Sequence, residues 1–199
     1  MPRKKKETQL EVIQFPKLFR VIGGDISLKR PGFCLLVYEK KEDGSLVLLD
    51  IKTMCVDNKK KKKEKGELLD EVLKAITLFF PDEEKDPIPT FYVREKYISN
   101  HGSVYESSIY EAIGISDWYL WRLGKTWYEL YPNSIKKLVT GNGNADKTVV
   151  AESLANYVGK MAYDTDDESD AVAVAIAWLI QNGQLKTFQS ESEVFENVS

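Results

Sequence analysis

DTDDESDAVAVAIAWLIQNG, residues 164–183, decides the fold, because its acids fall in different places according to whether it forms a strand or a helix. The run AVAVAIA alternates small and large residues as a strand does. Asp167 and Glu168 in the first turn, the many alanines, a length of roughly four turns and the Asn182-Gly183 stop argue for a helix. In a helix, Asp167 and Asp170 stand at i and i+3 on one face and can aim four oxygens at one point, which suits a hard divalent cation. In a strand they would face opposite ways. The stretch is read here as the last helix.

Upstream, LFRVIGGDIS from Leu18, GFCLLVYEK from Gly32 and SLVLLDIKT from Ser45 are β-rich, with a hairpin turn, EDGS, before the last. They make an antiparallel meander. ELLDEVLKAITLFF is an amphipathic helix stopped by Pro81, and PTFYVREKYI a fourth strand. SVYESSIYEAIGISDWYLWRLG reads as a helix that breaks near Gly114, KTWYELY as a fifth strand and KTVVAESLANYVGKM as another helix. The expected order is βββ-α-β-α-β-α-α, with no internal repeat. Residues 1–18 read as a basic tail, 19–183 as the folded domain with a lysine-rich loop at 56–66, and 184–199 as a second tail.

The chain has 199 residues, 43% of them hydrophobic, enough for one domain with a real core. Its longest apolar run, Ala171 to Ile180, is about half of a membrane span, and no charged-then-apolar signal opens it. A soluble cytoplasmic protein with no membrane partner is expected. Cys34 and Cys55 lack CxxC spacing and have only His101 as an imidazole partner, which disfavours zinc and disulfide frameworks. Oxygen ligands must hold any metal, which points to magnesium or manganese. The net charge of -3 hides basic patches in PRKKKE and in Lys59, Lys60, Lys61, Lys62 and Lys63. That lysine run is either a solvated loop or a phosphate-binding one.

Asp25 follows VIGG at the end of the first strand, at a sheet edge of the core, where the glycines leave room for a close approach. Taken alone it reads as a turn-forming residue. Glu95 closes the fourth strand between Arg94 and Lys96 and alone reads as a surface charge. Together with Asp167 and Asp170 they make a set of four acids that can converge.

The strings VIGGDISLKRPGFCLL, FYVREKYI, NSIKKLVTGNGNADKTVV and DDESDAVAVAIA resemble the four ordered motifs of RuvC-type Holliday junction resolvases, over about residues 20 to 182. The resemblance implies an RNase H-like α/β fold, a mixed five-stranded sheet with an antiparallel meander and parallel strands, flanked by helices. It implies that Asp25, Glu95, Asp167 and Asp170 are a catalytic tetrad holding two magnesium ions roughly 4 Å apart, with manganese able to substitute. It also implies that Lys136 and Lys147 face the phosphate backbone, Lys147 within the catalytic group, and that Gly141 and Gly143 let their loop pack close to DNA. An aromatic wedge after the catalytic Glu matches Tyr97, or Ile98 if the alignment shifts by one.

Ile26 stands where the family usually has proline, Asp146 where glutamate is common, and the segment after the third strand is longer and lysine-rich. Such chains look most like phage-type resolvases, working in a bacterial cell or a phage-infected host. The implied partner is branched DNA, four-way junctions above all. Paired cuts on opposed strands favour a two-fold homodimer, with the second helix and the aromatic cluster Trp118, Tyr119, Trp121, Trp127, Tyr128 and Tyr131 as core or dimer contact. His101, in the loop SNHGS after the acid of the fourth strand, reads as a surface residue, with a DNA contact as the alternative. A branched-DNA binding protein with weak nuclease activity and an RNase H-like nuclease acting on RNA remain the alternatives. An actin-like or sugar-kinase ATPase needs a glycine-rich phosphate hairpin where this chain has ISLKRPG.

Overall fold

A computed structural model of the protein describes residues 13–56, 64–99 and 106–187. Strands β1 (Leu18–Asp25), β2 (Gly32–Lys40) and β3 (Leu46–Cys55) come first, then α1 (Lys65–Phe79), β4 (Thr90–Glu95), α2 (Glu106–Arg122) and β5 (Trp127–Leu130). Helices α3 (Pro132–Thr140), α4 (Lys147–Ser153), α5 (Ala155–Val158) and α6 (Asp166–Gln181) complete the order. The strands form one mixed sheet, β3-β2-β1-β4-β5, antiparallel across the β1–β2 and β2–β3 pairs and parallel across β1–β4 and β4–β5. The expected mixed five-stranded sheet is thus observed. β1 lies at its centre, which corrects the placement of Asp25 at a sheet edge.

Two cores sandwich the sheet, and the period of two along β1 separates them: Phe19 and Val21 face one, Ile22 the other. On the first face lies α6, which is apolar all round because the sheet covers one side and α3 and α4 the other. On the second face α1 and α2 pack through Val72, Ile76, Ala112 and Leu120. Each side chain of Leu or Ile size fully buried in this way contributes about 1.5–3 kcal/mol. The strand alternative for residues 164–183 is thereby excluded, and Thr165 caps the helix by accepting from the Glu168 amide.

The structure differs from the sequence reading at several joints. Residues 132–140, to which the sequence pattern assigns no element, form α3, with Pro132 at its first positions and Ile135 and Val139 buried. Its nine residues fall short of the window over which a helical period is read, although Ile135 and Val139 stand at i and i+4. The expected single helix from Lys147 is two, α4 and α5, with the break at Leu154 and the end at Gly159, whose φ of 77° suits glycine. Helix α2 runs unbroken through Gly114. Strand β4 stops at Glu95, whose register partner Leu130 is the last residue of β5. In the stretch read as an N-terminal tail, Ile13 and Phe15 pack on the first core, Phe15 with its ring 5.3 Å from that of Trp178; Leu185, beyond the expected domain end, packs there too. Lys59 to Lys63 and His101 lie outside the described residues. Among the described residues no helix is long and apolar enough to cross a membrane.

Candidate active site

Strand alternation and register bring two of the acids together. Val21, Gly23 and Asp25 share the α6 face of β1, and Val93 and Glu95 share the same face of β4. Gly24 and Arg94 are the last partners of the parallel β1–β4 ladder, so Asp25 and Glu95 follow side by side on strands about 4.8 Å apart. Helix α6 enters above them with Asp170 one turn from its start. The amides of that first turn favour negative charge, which steadies Asp166, Asp167 and Glu168 at the helix mouth.

A cleft of about 210 Å³ results, lined by Asp25, Glu95 and Asp170 with Lys136 from α3 and Lys147 from α4. Pro132, Ile135, Val150 and Ala173 form its apolar walls. Lys147 donates a hydrogen bond to Asp170 Oδ2. The Asp146 side chain, accepting from the Val149 amide, caps α4 and so fixes where Lys147 starts. Gly141 does not enter the cleft lining; it ends α3 with a φ of 80° and turns the chain back toward α4. A side chain at Gly143 would press on the Asn133 carbonyl at 3.2 Å.

Asp167 is the exception among the four acids. Its carboxylate meets Arg30 Nε at 3.1 Å, with Cys55 Sγ 3.9 Å away, and it does not line the cleft. The expectation of two α6 carboxylates aimed at one point is therefore not met as the side chains stand, since Asp170 turns to Lys147 and Asp167 to Arg30. Sequence reasoning missed Arg30 altogether; its only signal is its place in KRP, five residues after Asp25.

The electrostatics nonetheless join all four acids. Asp25 is pushed up to about 7 by burial first, then by Asp170, Glu95 and Asp167, with Lys147 opposing. It keeps some exposed surface at the cleft mouth, but the surrounding protein removes most of the water that would solvate its charge. Burial and the charge of Asp170 raise Glu95 against the pull of Lys147 and Lys136. Burial also raises Asp170, opposed by its bond to Lys147. Burial acts to lower Lys147, but Asp170, Asp25 and Asp167 outweigh it and hold that ammonium charged. Among the described residues no three of His, Cys, Asp and Glu surround a common point closely enough to hold a metal ion. The donor set itself, carboxylate oxygens crowded in a poorly solvated cleft, is the chemistry a hard cation requires. The residues fit such an ion once the Lys147 and Arg30 pairs open.

A family model described as "Crossover junction endodeoxyribonuclease RuvC" matches residues 21–178. This chain belongs to the RuvC family. Over 157 residues it is 28% identical to the crossover junction endodeoxyribonuclease RuvC of Ehrlichia ruminantium (strain Welgevonden), covering 78% of this chain and 93% of that protein. The Thermus thermophilus RuvC structure superposes with a TM-score of 0.64 at 18% identity, covering 85% of this chain and all of that one. T. thermophilus RuvC in complex with Holliday junction substrate matches at 0.58 and 22% identity, covering 85% of this chain and 99% of that one. At such identities these likenesses speak for the RNase H-like fold alone.

Proposed function

We propose that this RuvC-family chain is a metal-dependent endonuclease that resolves four-way DNA junctions by paired nicks. The observation that carries the proposal is one cleft in which Asp25, Glu95 and Asp170 meet two cationic side chains, Lys136 and Lys147, at the ends of the parallel strands. Its support is family membership, and the related T. thermophilus protein whose structure holds a Holliday junction substrate.

Asp25, Glu95 and Asp170 would hold hard divalent cations, magnesium or manganese, and Asp167 would join them by exchanging Arg30 for the metal. Held by these carboxylates, a divalent ion would supply activation of a water for attack on the scissile phosphate and neutralisation of charge on the leaving oxygen. Lys136 and Lys147 orient the phosphate, and Lys147 released from Asp170 pairs with it instead. The apolar walls thin the water around Asp25 and Glu95, which strengthens their electrostatic interactions, while Lys147 stays largely exposed at the rim. Gly141 closes α3, the helix that carries Lys136 to the cleft. Beyond Glu95, the Tyr97 ring stands edge-on to Tyr110 at 5.3 Å while Ile98 is 53% exposed, so this pair offers one braced aromatic and one free apolar side chain to a junction centre.

Two opposed cuts call for two copies. Tyr110, Gly114, Trp118 and Trp121 form a stripe along the outer face of α2, and Trp121 is 74% exposed, which is costly for a lone chain in water. Trp127 by contrast is core. The stripe is the proposed dimer face.

Binding without cutting is the second reading, favoured by the two ion pairs that engage Asp170 and Asp167. Incubating the protein with a labelled four-way junction and a linear duplex of the same sequence, in magnesium or EDTA, separates the two. Symmetric nicks on the junction, only with metal, are expected. Binding without nicks would establish the second reading, and no junction binding would point to RNA substrates.

A further inference from the structure

We propose that Glu129 is a positioning residue for Glu95, acting from the opposite face of the sheet through the residues on either side of it. The proposal rests on the reading of Glu95 as a metal-holding acid. Arg94 and Glu129 are register partners across β4 and β5, and Arg94 Nε and Nη2 donate to Glu129 Oε1 at 3.0 and 2.8 Å. Lys96 Nζ lies 3.8 Å from the other oxygen, Oε2, and 5.0 Å from the Tyr131 ring centroid. One carboxylate thus grips the chain immediately before and immediately after Glu95.

The grip has a specific use. Glu95 shares its cleft with Asp25, Asp170, Lys136 and Lys147, so the direction in which its carboxylate is held decides which of these groups, or which cation, it meets. Just past the end of β4 the Lys96 amide donates to the Leu130 carbonyl at 2.7 Å. Arg94 adds a side-chain anchor to that backbone pairing. Its side chain is 8% exposed, lies against the Trp127 ring, and gives Nη1 to Asp117 Oδ1 at 2.6 Å and to Ser116 Oγ at 3.3 Å on α2. Since successive strand residues point to opposite faces, an Arg94 held down on the α2 side keeps Glu95 turned up into the cleft. Removing the charge of Glu129 leaves Arg94 with Asp117 as its anionic partner beside Ser116, and leaves Lys96 with the Tyr131 ring but without its carboxylate.

The test is Glu129→Gln, which keeps the shape and loses the charge, read by the Mn2+ concentration that half-saturates the metal-induced rise in melting temperature without DNA. That midpoint is expected to rise about tenfold, as for other outer supports of metal ligands, while junction affinity in EDTA stays unchanged. Glu129→Asp should restore most of the loss. Glu111→Gln, which breaks the exposed pair with Lys65, should leave the midpoint where it is. If Glu129→Gln folds poorly, Lys96→Met removes one half of the grip with the Arg94 pair intact and should raise the midpoint about threefold. An unchanged midpoint in both variants overturns the proposal, as does an equal change in Glu111→Gln. A wild-type protein that takes up Mn2+ through Asp25 yet never cuts a junction overturns the nuclease reading instead and leaves this measurement valid.

Discussion

Gly23 of β1 lies directly under Ala171 of α6, so close that a Cβ at Gly23 would stand 2.1 Å from the Ala171 carbonyl oxygen. Gly32 of β2 stands in the same relation to the carbonyl of Asp167, again at 2.1 Å. The obstruction in both cases is backbone, which cannot swing aside. The two glycines therefore set the depth at which the acid-bearing end of α6 meets the sheet. Gly23→Ala or Gly32→Ala should lift that end and destabilise the protein by about 1–3 kcal/mol or more, as overpacked cores do. Urea unfolding checks the loss, and metal-dependent cutting should fall with it. Gly66→Ala, where a Cβ meets nothing within 4 Å, should be neutral or mildly stabilising. Full stability in Gly23→Ala would refute the packing account.

Asp25 makes stability depend on pH when no metal is bound. Its folded-state value, about 7, lies above the ordinary 3.8, so the folded chain holds a proton that the unfolded chain has released across that window. Stability from this group is fully present below about pH 4 and is lost as pH rises to about 7. A shift of about three units bounds the effect at roughly 4 kcal/mol, and the observed figure should be smaller because Asp25 keeps some solvent contact. In EDTA, Asp25→Asn should therefore be more stable than wild type at pH 8 and indistinguishable near pH 4, by urea unfolding at each pH. Saturating Mn2+ should reverse the ranking at pH 8. Parallel curves across the range would remove Asp25 from the acidic cluster.

The positions of Asp25, Glu95 and Asp170, which share one cleft, were legible because each sits at the end of an element whose apolar pattern is local: VIGG before Asp25, FYV shortly before Glu95, AVAVAIA after Asp170; Asp167, turned to Arg30, was not. Strand alternation and helix spacing then fix their faces without knowledge of the rest of the chain. What remained hidden depends on register between distant segments. Nothing local tells that Arg30 will pair with Asp167, 137 residues on, or that Glu129 lies beside Arg94. The fit of Gly23 under Ala171 is likewise a property of two surfaces. Helix α3 was missed for a different reason, since at nine residues most of its helicity comes from packing rather than propensity.

The lysine run adds a prediction about binding alone. Replacing Lys59, Lys60, Lys61, Lys62 and Lys63 with alanine should weaken junction affinity and flatten its dependence on salt by about 0.9 in log-log slope for each phosphate no longer neutralised by a lysine. Fluorescence anisotropy across a salt series in EDTA measures this without cleavage. An unchanged slope would assign the run to solvent.

The proposed α2 dimer face would link quaternary structure to the pattern of cuts. A carboxylate at Trp121, or at Trp118 one turn before it, would face its own symmetry mate across a two-fold contact, where like charges repel in a desolvated interface. Because Trp121 is largely exposed in the single chain, Trp121→Glu should leave the fold of each protomer intact while converting a dimer to a monomer in sedimentation equilibrium. The consequence for function appears in a supercoiled plasmid carrying an extruded cruciform. Two cuts made by one dimer before release linearise it, whereas a single cut lets the supercoiling relax and the cruciform reabsorb, leaving a nicked circle. Wild type should yield mainly linear product and Trp121→Glu mainly nicked circles, with the metal requirement unchanged because the cleft acids lie on the other face of the sheet. A Trp121→Glu protein that still sediments as a dimer would place the partner contact elsewhere, and a wild-type monomer that makes linear product would show that pairing of the cuts needs no second copy.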